Sequence, residues 1–370
     1  MNAQTAGLYV HVPFCFSKCD YCGFYSTVPG KGDIDSYLCR LAEESALVRA
    51  QLPTGIRTVF VGGGNPTTLG EEGIARLVSI IETWFANGNP VEITFETNPE
   101  TLTLPIIRLL QNLPGIRLSI GVQRLEDSEL AVLGRKARLE AVYRALDLAC
   151  SNLTNVAADI ILGVPGCPSV ADSLANLLLR FDLKHISAYF LTVEADTPLQ
   201  QRISAGNLPD PAETGPEELF WVRDMLVSRG FEHYEISNYA RPGWRCQHNL
   251  GYWLARDYIG LGPSAVSGMA DCRTSNVADF ASWLRAAPPQ IERLTRVDQR
   301  NEFLMLHLRL LLDGLSLTNL TAKFGPQPQD FYAELDGQLA VGNLQRHGDQ
   351  IRLTDQGLAI ADNVLASLFI

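Results

Sequence analysis

The chain has 370 residues, 46% of them hydrophobic, and a formal net charge of -11, enough for one large domain and a small one in a soluble globular protein. No apolar run approaches the ~20 residues of a membrane span, so any membrane contact is expected to be peripheral. The acidity argues against a surface built to hold nucleic-acid phosphates, and the absence of a signal-peptide pattern points to the reducing cytoplasm.

In chain order, short β-branched runs alternate with longer amphipathic stretches, the pattern of repeated βα units on a parallel sheet. The expected strands are Gly7–Val12, Arg57–Val61, Val91–Glu96, Arg117–Val122, Asn155–Leu162 and Lys184–Leu191. The expected helices are Asp33–Ala50, Glu71–Phe85, Leu104–Asn112, Leu139–Ala149 and Val170–Phe181, with Asp33 and Ser169 as N-caps. Six units are too few for a closed eight-unit barrel, which leaves an open, partial TIM-type barrel or a doubly wound sheet. Both place ligands beyond the carboxyl ends of the strands.

Residues Ala195–Glu217 and Ala286–Pro289 are rich in Pro, Gly and polar residues and read as connections. They divide the chain into a core over 1–215, an extension over 216–290 and a C-terminal module over 291–370. That module is expected to hold helices near Asp298–Leu312, Thr318–Phe324 and Asp330–Leu339, strand Gln350–Leu353 and helix Asp355–Ser367, a winged-helix-like α+β order. Its acidity favours packing against the core over DNA binding.

Cys15, Cys19 and Cys22 form a CxxxCxxC run just after the first expected strand. Three thiolates on one loop can ligate three irons of a [4Fe-4S] cluster and leave the fourth iron open to a small molecule. A zinc site with His11 as fourth ligand is the second reading, and a disulfide is less favoured still. The other five cysteines, 39, 150, 167, 246 and 272, show no paired spacing and are expected to be small buried hydrophobes. A glycine run, Gly62-Gly63-Gly64, follows the second strand and lets the backbone approach a ligand closely. Glu96, Gln123 and Asp159 end other apolar strands, and Arg135 in Leu133-Gly134-Arg135 has the fork to grip a carboxylate. Finally, His248-Asn249-Leu250-Gly251-Tyr252-Trp253 offers an imidazole for haem iron beside flat rings; a core histidine in aromatic packing is the competing reading.

Together these motifs resemble the radical S-adenosylmethionine family, and more narrowly its oxygen-independent coproporphyrinogen III oxidase-like group. The resemblance runs through Tyr9–Cys15, Asp159–Gly166, His185–Tyr189, Tyr234–Asn238 and Leu353–Gly357, covering nearly the whole chain. Within the group, oxidases resemble CxxxCxxCxC after a long extension. Here Phe24 stands at the last position, fourteen residues precede Cys15, and 248–253 match an HNxxYW motif at every fixed position. These features are similar to the haem-chaperone branch; radical oxidative decarboxylation of coproporphyrinogen III to protoporphyrinogen IX is the alternative.

The resemblance implies a [4Fe-4S] cluster on Cys15, Cys19 and Cys22. It also implies S-adenosyl-L-methionine held by Tyr9, Gly63, Gly64, Asn65, Glu96, Gln123, Arg135 and Asp159. Haem would meet His248, with Tyr252 and Trp253 as neighbours, and the implied partners are haem or a porphyrinogen and haem-acceptor proteins, including respiratory ones. A homodimer is compatible, and nucleic acid is not expected. The chain departs from the usual pattern at Asn65 (Thr), Ala137 (His), Cys167 (Gln) and Val266 (His).

Overall fold

The structure is a computed structural model and describes residues 6–52, 55–211 and 215–369. Six parallel strands lie side by side in chain order: β1 (Ala6–Val12), β2 (Ile56–Gly63), β3 (Glu92–Thr97), β4 (Ile116–Gln123), β5 (Val156–Leu162) and β6 (His185–Phe190). A doubly wound sheet reverses its strand order part-way, so this order decides for the open barrel arc. The expected βα units are present, with strand ends shifted by one or two residues. An additional short helix, Asp127–Val132, precedes Leu139–Cys150.

Asp33 and Ser169 are not the N-caps. Gly32 occupies the first cap position at φ 87°, and Asp33 accepts the Gly30 N–H from within the helix. Val170 occupies the second, and Ser169 Oγ accepts the Ala171 N–H at 3.3 Å.

Sequence pattern did not reveal the strands that extend the sheet. On the β6 side lie β7 (Glu232–Glu235) and β8 (Asn238–Ala240), antiparallel, with β8 next to β6. On the β1 side, β9 (Tyr258–Leu261) is parallel to β1 and is followed by β10 (Val266–Met269), β11 (Cys272–Ser275) and β12 (Gln290–Arg293). The segment expected as an extension therefore covers both edges of the arc, and β12 straddles the boundary expected at 290/291. The connection expected over Ala195–Glu217 contains helix Pro198–Ser204, and its residues 212–214 lie outside the described residues.

The C-terminal residues build their own core from Phe303, Leu304, Leu308, Leu320, Phe331 and Ile351. A three-stranded sheet of β13 (Leu315–Ser316), β14 (Leu344–His347) and β15 (Gln350–Leu353) stands beside the helices, and the last expected helix breaks at Ile360.

Strand alternation sends Leu8, Val59, Phe95, Leu118 and Ile160 outward to pack under the helices. The inner face is polar. Near the amino ends it carries Thr58, Glu92, Arg117 and His185; toward the carboxyl ends it carries Tyr9, Glu96, Ser119, Asp159 and Tyr189.

Candidate cofactor site and the HNxxYW helix

The cysteine loop leaves β1 at its carboxyl end and is pinned by backbone. Cys15 N–H donates to Thr27 O (3.0 Å), Cys22 N–H to Cys19 O (3.2 Å) and Asp20 N–H to Leu133 O (3.1 Å). All eight cysteines are free thiols, and Cys15, Cys19 and Cys22 are half-buried. Burial pushes the Cys15 thiol up to about 11 and also raises Cys22, with the neighbouring loop thiols adding to both. Among the described residues no three His, Cys, Asp or Glu side chains are gathered around one metal ion. A cubane spreads three thiolates over three irons, so its ligands stand farther apart than those of a single ion.

His11 is not a fourth ligand here. Its Nδ1 bonds Tyr9 OH (3.0 Å) and its Nε2 the Tyr25 carbonyl (3.0 Å). The remaining cysteines differ from the small-hydrophobe expectation. Only Cys246 is buried, Cys39 is exposed on its helix, and the other three are half-buried.

The glycine run is required by the protein itself. Gly63 has φ 104°, and a Cβ there would lie 2.4 Å from His11 Nδ1. One at Gly64 would lie 2.7 Å from Phe14 O, and Gly64 and Asn65 N–H groups donate to Val12 O and Phe14 O, each at 2.8 Å. The turn is thus laced to the stretch that presents Cys15. Asn65 is buried with its side chain committed: Nδ2 donates to Thr101, and Oδ1 accepts from Thr67 Oγ1 and Asn98 N–H. With its N–H on Phe14 O, any contact from Asn65 to a cofactor falls to its carbonyl oxygen, which also accepts the Thr68 N–H at 3.0 Å.

Beyond these glycines the expected cofactor residues converge. Glu96 accepts the Gly63 N–H (3.3 Å), and burial together with the Asp159 carboxylate pushes its carboxyl up to about 8. Ser119 Oγ donates to both Asp159 oxygens (3.2 and 3.3 Å), and burial raises that carboxyl too. Gln123 sits at φ 67° and accepts from Tyr189 OH (3.3 Å). Arg135 spends its terminal nitrogens on Asn98 Oδ1 (3.2 Å), Cys19 Sγ (3.8 Å) and Gly121 O (2.7 Å), so the expected free fork is occupied. Its Nε is buried without a partner among the described residues, a donor left for a ligand.

Tyr189, Ser119 and Asn98 were missed as site residues. Only the strand-end position of Tyr189 and Asn98 gave a signal. Three loop thiols, an arginine on Cys19, an orphaned N–H and two carboxyl groups suit a cluster with an amino-acid-bearing cofactor beside it.

The HNxxYW residues lie at the other end of the barrel. Helix Gln247–Trp253 caps the amino ends of β1 to β3, where Glu92 accepts the N–H groups of Gln247 and His248, both at 3.0 Å. His248 is 3% exposed; its Nδ1 bonds Thr58 Oγ1 (2.9 Å) and its Nε2 Tyr252 OH (3.0 Å). Burial, then the nearby Arg117, lowers its pKa to about 3, so the ring is neutral. The space beside it, between Gly7, Thr58, Gly251 and Tyr252, is about 10 Å³. In this arrangement both ring nitrogens are spent and no porphyrin fits beside them.

Tyr252 packs edge-on against His248 and Tyr258. Trp253 lies under the Arg309 guanidinium, 4.5 Å from its ring centroid, with Nε1 buried and unpartnered among the described residues. A cleft of about 430 Å³ opens at the same end between Val91, Gly115, Asn155 and Trp244, and reaches Gln247.

Comparison with known proteins matches residues 9–168 to the Radical SAM superfamily model and 294–360 to the HemN C-terminal domain model. The chain is 33% identical over 384 residues to a Mycobacterium tuberculosis protein named heme chaperone HemW, covering all of this chain and 96% of that one. It belongs to the HemW family of radical SAM proteins. The Escherichia coli HemW is 29% identical over 375 residues, covering 97% of this chain and 96% of its own. Among solved structures, the coproporphyrinogen III oxidase HemN from Escherichia coli matches with TM-score 0.82, 22% identity, 99% of this chain and 90% of that one. That likeness establishes the shared fold: a partial TIM-type barrel with a HemN-type C-terminal module. The radical SAM membership shared with HemW implies a [4Fe-4S] cluster and S-adenosylmethionine. No helix among the described residues is long and apolar enough to cross a membrane.

Proposed function

We propose that this chain binds haem and delivers it to acceptor proteins, while carrying a [4Fe-4S] cluster and S-adenosylmethionine. The observation that carries this reading is the end-to-end similarity to proteins named heme chaperone HemW, at 33% identity with both chains covered. Phe24, in place of the further cysteine of the oxidase pattern, supports it, and no comparable feature favours the oxidase reading.

Cys15, Cys19 and Cys22 would hold the cluster. The Gly63–Asn65 backbone carbonyls, Tyr9, Glu96, Gln123, Asp159 and the Nε of Arg135 would hold S-adenosylmethionine. When bound, the cluster would supply one-electron reducing chemistry beside the cofactor's sulfonium. The chain's own part is to orient the cofactor: Gly63 N–H and Ser119 hold Glu96 and Asp159 facing the site, and Tyr189 holds the Gln123 carboxamide.

Haem would be taken up at the amino end, with His248 released from Thr58 and Tyr252 and turned toward the cleft beside Gln247. Each of those two hydrogen bonds is worth about 1 kcal/mol net, small beside the energy of haem association.

The test is an anaerobic haem titration of the reconstituted protein followed by absorbance. We expect saturable one-to-one binding, weakened at least tenfold or spectrally shifted in His248→Ala. Tyr252→Phe, which frees Nε2, should keep or tighten binding. Absence of specific haem binding in the wild-type chain would overturn the proposal.

A further inference from the structure

We infer that Arg124 is the positioning residue that sets the Gln123 carboxamide at the mouth of the barrel; the inference depends on the cofactor reading above. Arg124 N–H donates to Val122 O at 2.9 Å, closing a three-residue γ-turn around Gln123 at φ 67°. Positive φ is uncommon for a glutamine, and γ-turns of this hand are rare and strained. The same turn slips the ladder, pairing Gln123 with Ile160 after Gly121 has paired with Asp159. It leaves Gln123 Oε1 accepting from Tyr189 OH, while Nε2 forms no hydrogen bond among the described residues. A strained turn that holds out an unspent amide donor beside Glu96, Asp159 and Arg135 is an arrangement the fold alone does not require.

Such a conformation persists only where its surroundings over-determine it. The next side chain supplies the constraint. Arg124 is fully buried, and all five of its N–H donors are taken. Nε and Nη2 grip Glu129 bidentately, each at 3.0 Å; Nη1 donates to Ile161 O (3.1 Å) and Glu218 Oε1 (3.2 Å); Nη2 also donates to Pro168 O. Glu218 in turn accepts the Gly163 and Val170 N–H groups, both at 2.7 Å. The guanidinium therefore locks the end of β4 to the end of β5, the loop after β5 and helix Glu217–Ser228. With Arg124 held outward, the turn stays closed and Gln123 stays inward. Release of the clamp lets Gln123 relax toward extended backbone and withdraw its carboxamide.

The experiment measures S-adenosylmethionine affinity by equilibrium dialysis on anaerobically reconstituted protein, with iron content and melting temperature recorded for each variant. Gln123→Ala should weaken binding about tenfold, the effect of one lost hydrogen bond, at unchanged melting temperature. Arg124→Lys, which keeps the charge but loses the fork, should weaken binding by a similar factor and also lower the melting temperature. The Gln123→Ala/Arg124→Lys double variant should bind no more weakly than the weaker single one, because both act through the same carboxamide. Should Arg124→Lys fail to fold, Glu129→Gln loosens the same grip and should show the same non-additivity. Wild-type affinity in folded Arg124→Lys or Glu129→Gln, or losses that multiply in the double variant, would overturn the positioning role. Failure of the wild-type protein to bind S-adenosylmethionine would overturn the cofactor reading and this inference with it.

Discussion

Glu96 shows how burial sets the chemistry of a single residue. Its carboxyl is raised from 4.5 to about 8 because burial, then the nearby Asp159 carboxylate, disfavour its charge. Between those values the folded chain keeps a proton that the unfolded chain has released. This residue's contribution to stability therefore declines as pH rises from 4.5 to about 8. In Glu96→Gln the urea midpoint should lose that part of its decline, and an unchanged slope would show that Glu96 is ionised when folded. His248 works in the opposite direction. Its pKa falls from 6.5 to about 3, so stability is lost as pH drops below 6.5, and His248→Gln should flatten that acid limb of the unfolding curve. Neither shift could be read from sequence, because each comes from residues brought close by folding.

At the scale of an element, helix Gln247–Trp253 has seven residues and little stability of its own. Its first turn lacks a side-chain cap, and Glu92 of β3, more than 150 positions away, accepts two of its free N–H groups. Glu92→Ala should cost about 2 kcal/mol, the value of orphaned buried donors, and should quicken amide exchange over residues 247–253. Exchange unchanged from the wild-type chain would show that packing of His248 and Trp253 suffices. The other end of the helix is covered by Arg309, which stacks on Trp253 and pairs with the fully buried Glu235 carboxylate at 3.4 Å. Arg309→Ala should destabilise the chain by about 3 kcal/mol, measured by urea unfolding, since Glu235 keeps its burial and loses its cation.

On the scale of the whole molecule, the two candidate sites lie at opposite ends of one barrel. Gly7, beside His248, and Val12, where the cysteine loop begins, stand about 17 Å apart at the rise of an extended strand, with Tyr9 and Phe60 packed in contact between the two sites. Cys19→Ala should therefore lose the cluster absorbance after reconstitution yet titrate with haem as the wild-type chain does. Loss of haem binding in that variant would show that the two ends are coupled. The CxxxCxxC spacing, the strand-end polar residues and the six βα repeats were legible in sequence because each is set by local spacing: ligand reach on one loop, or period-two alternation along one strand. The open arc was the expected fold, with a doubly wound sheet as its competitor, and strand order decided for it. The two edges formed by β7 to β12 were hidden because strands of three or four residues carry too short a pattern to recognise. Tertiary structure alone decided that the glycine run packs against His11 and Phe14, that Asn65 and the Arg135 fork are already occupied, and that His248 is enclosed at the amino end. Sequence determines which chemical groups are present and in what local order. How many of their hydrogen-bonding atoms remain free, and at which end of the barrel, depends on partners that only folding brings within reach.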